Sequence, residues 1–470
     1  MRYIIGILIS GIAVYALFSY KTDKAPDKNA ERRIVAIAGT TTAITADIND
    51  PDDAARNIGV DIPLGEDPLR GKGLSIDLAT SNPAVVPLTH LILSGTGNTR
   101  NLKISAISPG YSTITIKIGT GEETKTYILE YAASQTMNME NKHWHAGICD
   151  ASAAINIGDE YMVVANDESN CLYLYNRNHT GTPLKTFDYN QNNILGLVDS
   201  SAGQWKEIDV EGGVRSMIDP SLTYWIGSMS NNSGFFNKPN RNRLFAVNIS
   251  GKGNEFNFKN QGYYSKLREK LITWGDAYGY DFRKCSAVGK DCKTIDGFNI
   301  EGMVFGPDNK TLFIGFRAPL VPMNCRTKAV IAPIYDFENW FIKQSALTDP
   351  VIGSPIELDL GGRGIRDIIR LSDGNYIIIA GSCGFEITPA AYKWTGYAAD
   401  APTLLSDFDL SGLNVEGVVP VCENGKFRNK LQLLTDNGNE KYYCDTLCAK
   451  DLPDDRLKKF SSVIMPLDKK

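Results

Sequence analysis

FNIEGMVFGPDNKTLFIGFR, residues 298–317, is the stretch that decides the fold, because variants of it recur over the last 320 residues. Each copy joins a charged residue beside Gly or Asp, a short apolar run, an acidic turn and a second β-rich run that ends in a polar cluster. The other copies are ASAAINIGDEYMVVANDE (151–168), EIDVEGGVRSMIDPSLTYWIGS (207–228), RGIRDIIRLSDGNYIIIAGS (363–382) and LNVEGVVPVCENGKFRNKLQLLTDNG (413–438). A sheet-like unit that returns about every 50–90 residues predicts a radial array of sheets, a β-propeller.

The spacing inside the copies supports this alignment. The charged residue and the acidic turn stand 7 or 8 positions apart in four of them: Glu301 and Asp308, Arg366 and Asp373, Glu416 and Glu423, Glu211 and Asp219. Inner strands of propeller blades line a central channel, and their equivalent ends face one mouth of it. We therefore expect the four charged residues to occupy equivalent inner-strand positions, and Asp308 and Asp373 to serve as turn residues.

A ring that mixes carboxylates with an arginine is costly to bury unless its members are paired or bind a metal. Two interpretations follow. One is a salt-bridged plug, in which Glu-Gly has a structural role only. The other is a site for a hard cation such as Ca²⁺, with Glu211, Glu301 and Glu416 as its ligands.

The same mouth is expected to bind an anionic group, because guanidinium forks match the geometry of phosphate and carboxylate. The candidate residues are Arg317, Arg363, Arg366 and Asp367. For Arg317 and Arg363 the alternative is pairing with a ring carboxylate. The polar strand ends NDE (166–168), GFR (315–317) and GSC (381–383) are predicted to surround the ring.

The sequence contains few residues or motifs that would support other kinds of catalysis. The chain has four histidines and no G-x-S-x-G, P-loop or H-E-x-x-H motif, which disfavours a histidine-based hydrolase mechanism. His143 and His145 would share one face of an extended strand, but two imidazoles alone are too few ligands for a metal site. A net charge of −5 without a Lys/Arg block excludes nucleic acid as an expected partner.

The N-terminus indicates export. Tyr3 to Tyr20 is an uncharged apolar run of 18 residues behind Arg2, either an uncleaved signal anchor or a signal peptide. Lysines at 21, 24 and 28 fit the positive-inside rule poorly, which counts against the anchor. We expect a periplasmic, envelope-anchored or secreted protein that contacts the membrane through this segment if it stays uncleaved.

The organisation expected from these patterns is all-β, with a small β module before the propeller. The boundaries are a signal anchor or signal peptide at 1–20, a linker at 21–32, the β module at 33–132, a hinge at 133–144, and the propeller at 145–470 with insertions near 250–296 and 332–350. A helix is predicted at about 264–274.

Nine cysteines in an exported chain predict some disulfides and at least one free thiol. The closely spaced pairs are Cys285 with Cys292 and Cys444 with Cys448. Each pair encloses a short loop, so we expect two local disulfides.

Three resemblances accompany this interpretation. TSNPAVVPLT with LKISAISPGYSTITIKI resembles bacterial immunoglobulin-like modules, which implies a sandwich at the N-terminal side. GGRGIRD, NIEG and FRAPL resemble a family of bacterial proteins classed as a domain of unknown function, over roughly residues 145–420, which implies a propeller. A more distant likeness is to the propeller family named for esterase-like activity of phytases.

These observations predict a binding or scaffold protein that recognises an anionic small molecule or a surface partner at the propeller mouth. The alternative is a metal-dependent phosphoester or ester hydrolase, in which a cation such as Ca²⁺ activates water in place of histidine.

Overall fold

A computed structural model of the protein describes residues 8–9, 12–13, 29–64, 74–119, 124–137, 141–342, 349–384 and 386–467. The predicted signal segment and linker lie largely outside these residues, apart from a short strand pair, Leu8–Ile9 with Ile12–Ala13, and the residues from 29 onward. Among the described residues, no helix is long and apolar enough to cross a membrane.

Two four-stranded sheets between residues 34 and 134 enclose one apolar core. In spatial order the first sheet contains Thr41–Asp47, Thr124–Ser134, Gly110–Gly119 and Ser75–Thr80. The second contains Ile34–Val35, Val60–Pro63, Thr99–Ile104 and Leu91–Ser94, and the short helix Ala54–Asn57 lies between two of the strands in sequence. Alternation along Gly110–Gly119 buries Ile114, Ile116 and Ile118 completely, because a strand sends every second side chain to one face.

Five four-stranded antiparallel sheets follow within the described residues, and we number them blades 1–5. Blade 1 contains Ala151–Ile157, Tyr161–Asn166, Cys171–Asn176 and Lys185–Asp188. Blade 2 contains Val210–Arg215, Leu222–Gly227, Leu244–Ser250 and Asn257–Tyr264. Blade 3 contains Asn299–Phe305, Leu312–Ala318, Ala329–Ile334 and Ile356–Leu358. Blade 4 contains Gly364–Arg370, Tyr376–Gly381, Ala390–Trp394 and Thr403–Leu404. Blade 5 contains Val415–Glu423, Lys426–Thr435, Lys459–Pro466 and Lys142–Ala146.

The blades form a closed, propeller-like ring. The first strand of each blade contacts the first strand of the next, and that of blade 5 contacts that of blade 1. Each junction has its own apolar core. In blade 4, for example, Ile378 packs toward blade 3 while Ile377 and Ile379 pack toward blade 5. Burial on both faces explains why the second strands read as continuous apolar runs such as YIIIAG.

The ring is closed by a strand that the sequence analysis assigned to a hinge. Lys142–Ala146 pairs antiparallel with Lys459–Pro466 and completes blade 5. The predicted hinge at 133–144 is therefore wrong at both ends, because Thr124–Ser134 also runs into it. Backbone pairing to a strand far away in sequence leaves no local signal.

The two predicted insertions are partly blade strands. Asn257–Tyr264 is the outer strand of blade 2, and the segment after it carries the helices Leu267–Ala277 and Phe282–Cys285. The region near 332–350 begins inside a strand of blade 3 and continues as the helix Phe337–Ile342. A short strand pair, Ser200–Ser201 with Gln204–Trp205, stands between blades 1 and 2.

Every inner strand has a β-bulge at the same place. The ladder between the first and second strand shifts register around the residues Ser152, Glu211, Glu301, Arg366 and Glu416. The prediction that the four charged residues are equivalent is thus confirmed, and Ser152 is the fifth member. A bulge turns one side chain away from the regular alternation, and in this protein it does so at the equivalent inner-strand position of each of the five blades.

The glycine after the bulge lets neighbouring inner strands approach. A Cβ on Gly302 would lie 2.9 Å from Ile365 Cγ2 and 3.0 Å from Ile368 Cγ2 in blade 4. We expect Gly302→Ala to lower the free energy of unfolding by about 1–3 kcal/mol, the usual cost of overpacking. Gly417→Ala is the matched control, because a Cβ there meets nothing closer than 3.6 Å. Urea unfolding of both variants tests this, and equal stabilities would contradict the close approach.

Candidate functional site

The bulged residues and the ends of the second strands meet at one mouth of the ring. The charged groups at this mouth form two regions, an arginine side and an acidic side. On the arginine side, Glu301 lies at the centre and is 2% exposed. Its Oε1 accepts from Arg317 Nη1 at 2.9 Å and from Asn299 Nδ2 at 2.8 Å, and its Oε2 lies 3.0 Å from Arg366 Nη1. Arg366 also pairs through Nη2 with Glu416. Blades 3, 4 and 5 are thus joined by one network of charge-assisted bonds.

This network involves two of the three predicted metal ligands. The carboxylates of Glu301 and Glu416 both form ion pairs with Arg366, which lies between them. Glu211 takes no part in these pairs. The structure therefore favours the salt-bridged alternative for blades 3–5 and separates Glu211 from the other two glutamates.

Two further predicted ligand-binding residues have structural roles. Asp367 accepts from the backbone N–H of Ile368 at 2.7 Å and from that of Val418 in blade 5 at 2.8 Å. Burial raises the pKa of Asp367 to about 7, although these two hydrogen bonds oppose the shift. Arg363 donates to Thr388 O at 2.8 Å and to Tyr392 Oη at 3.3 Å, so it braces a loop of blade 4.

The acidic side lies between blades 1 and 2. One carboxylate oxygen from each of Asp167, Asp209 and Glu211 lies within 4.8 Å of the other two. Arg241 reaches this group only at Asp209, with Nη1 2.8 Å from Oδ2, and its Nη2 pairs with Glu207 at 3.2 Å. The cluster of three carboxylates therefore contacts a single guanidinium, that of Arg241, and Arg241 also pairs with Glu207 outside the cluster.

The carboxylates titrate abnormally as a result. Burial, followed by the charges of Asp209 and Asp150, raises the pKa of Asp167 well above its usual range. Burial, followed by the charges of Glu301 and Asp209, does the same to the pKa of Glu211. Charge repulsion in a poorly hydrated space favours the neutral acid. Such shifts are typical of binding and catalytic sites and also occur in structural clusters.

Asp150 continues the acidic side toward blade 5. It forms a backbone bridge with Asp436, and its Oδ2 accepts from Cys149 Sγ at 2.9 Å. Burial raises the pKa of Asp150 to about 7, and the charge of Asp436 adds to the effect. The negative potential therefore extends across three blades.

A cleft of about 730 Å³ opens on the arginine side of the mouth. Arg317, Arg366, Ser382, Glu386 and Asn414 are among the residues that line it. Arg317 Nε donates to Ser382 O at 3.1 Å, and within the described part of the chain its Nη2 has no hydrogen-bond partner. The cleft thus borders a fixed guanidinium with unused donors.

Sequence reasoning did not single out Asp167 and Asp209 as site residues. Asp167 is the middle residue of NDE at the end of a second strand, a segment that was assigned to the surroundings of the ring. Asp209 stands two positions before Glu211, but it precedes the strand Val210–Arg215, and the bulge at Glu211 interrupts the alternation of side chains. The spacing alone therefore did not indicate that the two carboxylates lie together. Asp209 also has a left-handed backbone, with φ of 59°.

The remaining candidates lie elsewhere. His145 contacts Ser462 Oγ at 2.8 Å and packs between the rings of Tyr175 and Phe460. Burial lowers the pKa of His145 well below its usual range. His145 is therefore a core residue, and the two-histidine metal site is not formed.

Neither predicted disulfide is formed, and all nine cysteines are free. Arg326 Nη2 lies 3.5 Å from Cys285 Sγ, whereas the groups acting on the Cys292 thiol are Ser230, Asp209 and Arg241. The two thiols thus face different parts of blades 2 and 3. Cys444 has a left-handed backbone, with φ of 60°, and is exposed.

The turn residues behave as predicted. Asp308 Oδ1 accepts from the backbone N–H of Lys310 and Thr311, each at 2.9 Å. Asp373 Oδ1 accepts from Asn375 N at 2.9 Å. Both acidic residues reverse the chain between the first and second strands of their blades.

Comparison with known proteins adds a partial family match. Residues 288–459 match a family described as a protein of unknown function (DUF3616). That range includes the NIEG, FRAPL and GGRGIRD phrases but does not reach back toward residue 145. A search of curated proteins found no match.

Several solved structures are similar over long stretches at low identity. Virginiamycin B lyase from Staphylococcus aureus is 9% identical, with a TM-score of 0.25, and the alignment covers 83% of this chain and 100% of that one. A quinonprotein alcohol dehydrogenase-like protein from Bacteroides thetaiotaomicron is 11% identical, with a TM-score of 0.27 and coverages of 92% and 99%. A luciferin-regenerating enzyme is 8% identical, with a TM-score of 0.27 and coverages of 76% and 88%. Scores this low carry no argument about function.

Proposed function

We propose that this is an exported binding protein whose propeller mouth recognises a small anionic molecule or an anionic group on a surface partner. The observation that carries the proposal is Arg317 at the cleft. Its guanidinium is fixed by Glu301 and Ser382, and its Nη2 has no partner among the described residues. A fixed fork with unused donors binds carboxylate or phosphate with little loss of rotamer entropy.

A carboxylate in the same cleft adds selectivity. Glu386 lines the same cleft as Arg317. A ligand with an anionic group at one end and a hydroxyl or amino donor at the other satisfies both residues. A purely anionic ligand meets repulsion from Glu386, so the two residues together favour ligands with hydroxyl or amino groups.

The test is titration calorimetry with inorganic phosphate, glycerol phosphate, acetate and citrate as probes. Arg317→Lys keeps a positive charge beside Glu301 but loses the planar fork. We expect this variant to bind the best probe at least tenfold more weakly than wild type, a loss of about 1.4 kcal/mol. Arg283→Lys is the control, because Arg283 forms only exposed pairs with Glu269 and Asp276. Absence of binding by every probe, or equal binding by Arg317→Lys, contradicts the proposal.

The second candidate function is metal-dependent hydrolysis of a phosphoester or ester. It is favoured by the acidic cluster at the same mouth, since a cation there would supply the water activation that histidine does not provide. Turnover of p-nitrophenyl phosphate or p-nitrophenyl acetate, present in wild type with Ca²⁺ and lost in Glu211→Gln, would support this function over simple binding.

The N-terminal part of the proposal concerns placement. We assign the two-sheet sandwich an immunoglobulin-like architecture and the role of a spacer between the export segment and the propeller. Protease protection of the chain in intact cells, with and without permeabilised outer layers, tests whether the propeller is exported.

A further inference from the structure

We infer that Asp167, Asp209 and Glu211 form a binding site for one Ca²⁺ ion at the junction of blades 1 and 2. The inference extends the proposed function, because it places a second subsite at the same mouth, and it does not require the anionic ligand. The site differs from the ring of glutamates expected from sequence, since two of its three ligands were not in that set.

The three ligands come from two strand ends that the ring closure brings together. Asp167 directly follows the second strand of blade 1, and Asp209 and Glu211 stand at the start of the inner strand of blade 2. Their nearest oxygens lie within 4.8 Å of one another. Ca²⁺ takes oxygen ligands at about 2.3–2.6 Å, so two ligands on opposite sides of the ion are about 4.6–5.2 Å apart. The cluster is already close to that size.

An independent observation is that two of the side chains lack partners. Glu211 is 9% exposed, and no described residue forms a hydrogen bond or ion pair with its carboxylate. Asp167 Oδ1 is buried and also has no hydrogen-bond partner. Buried carboxylates without donors are strongly unfavourable. Both are directed into the same small space, which a cation would neutralise.

Asp209 is held in place by its other oxygen. Its Oδ2 accepts from Ser228 Oγ and pairs with Arg241 Nη1. Oδ1 takes part in neither contact, and the residue has a left-handed backbone without being a glycine. A ligand oriented by such contacts loses little freedom on binding.

The surrounding charges also favour a cation. Glu301, Asp150, Glu168 and Asp436 add negative charge near the cluster. Arg366 opposes it, but Arg366 already pairs with Glu301 and Glu416. All three ligands are carboxylates, which suits hard cations and disfavours metals that prefer nitrogen or sulfur. Mg²⁺ requires ligands at about 2.0–2.1 Å and keeps several waters, so Ca²⁺ fits the wider cluster better.

The experiment is calorimetric titration of the full chain with CaCl₂ after chelator treatment, with MgCl₂ in parallel. We expect one Ca²⁺ per chain, weaker binding of Mg²⁺, and at least a tenfold weaker affinity for Ca²⁺ in Glu211→Gln. Glu160→Gln is the matched control, because it removes an exposed charge in a turn of blade 1, outside both the cluster and the charged residues around it. It should bind Ca²⁺ within threefold of wild type.

Thermal melts in chelator show whether a variant is folded. Removing one of three repelling carboxylates should leave Glu211→Gln at least as stable as wild type without Ca²⁺, while the rise in Tm on adding Ca²⁺ should disappear. No Ca²⁺ binding by wild type, or unchanged binding by Glu211→Gln, overturns the inference. The anion titrations are run in chelator, so failure of the anion site and failure of the cation site are separate results.

Discussion

Replacing Glu301 with glutamine is expected to lower the free energy of unfolding by about 3–5 kcal/mol, the cost of removing one partner from a buried ion pair. The carboxylate contacts Arg317, Arg366 and Asn299 and is almost fully buried. An amide keeps the shape but presents donors to two guanidinium groups that need acceptors. Chemical denaturation of wild type and Glu301→Gln measures the difference.

Glu423→Gln is the control with the same chemical change. Glu423 also pairs with an arginine, Arg428 at 2.6 Å, but both side chains are exposed. Exposed pairs contribute at most about 1 kcal/mol, so this variant should unfold close to wild type. Both comparisons are made with Ca²⁺ and with chelator. Equal losses in the two conditions support the arginine network, whereas a Glu301→Gln protein that melts like wild type in both would exclude it.

The second large effect is expected at the contact between the sandwich and the propeller. Lys459 begins a strand of blade 5 and is 1% exposed. Its Nζ donates to Ala46 O at 2.7 Å and to Ser134 Oγ at 2.6 Å in the sandwich. It also lies 4.6 Å from the ring centroid of Trp144 and 5.1 Å from that of Tyr442. Burial lowers the pKa of Lys459 to about 8, so the ammonium is mostly charged at neutral pH.

We expect Lys459→Met to destabilise the protein by about 2–4 kcal/mol. Each hydrogen bond from a charged donor contributes about 1.5–3 kcal/mol, and the relief of burying a charge offsets part of the loss. The sandwich should then melt at a lower temperature than the propeller, visible as two transitions in calorimetry. Lys430→Met, in the same blade but exposed, should leave a single transition. One unshifted transition in Lys459→Met would mean that this lysine does not connect the two parts.

The sequence allowed the repeat and its register to be predicted because both are local. A charged residue on the first strand, an acidic turn and an apolar second strand stand within about 20 residues of one another, so four of the copies show the whole pattern. The acidic turn follows from backbone donors two or three residues away, and the prediction of turn residues at Asp308 and Asp373 was confirmed. Gly302, by contrast, follows from crowding against Ile365 and Ile368 of the next blade.

The site itself depends on contacts between copies, and there the sequence was less informative. Nothing in LNVEGV indicates that Glu416 pairs with Arg366 rather than with a metal. Asp167 and Glu211 meet only because blade 1 packs against blade 2. Cys285 and Cys292 are near in sequence, yet their thiols have different neighbours and are both free. In each case the deciding partner belongs to another element.

Blade 5 combines a strand from the start of the propeller with three strands from its end, so the order in which the chain is synthesised affects when the ring can close. The strand Lys142–Ala146 is synthesised early, but its partner Lys459–Pro466 is synthesised near the end of the chain. The ring therefore cannot close until almost the whole chain has been synthesised. Contacts between such distant segments form slowly, because the loop entropy is lost before the pairing compensates for it. Until then, the strand Lys426–Thr435 presents an open edge of the kind that joins strands from other molecules. A nascent or shortened chain of this protein is therefore most prone to aggregate at blade 5.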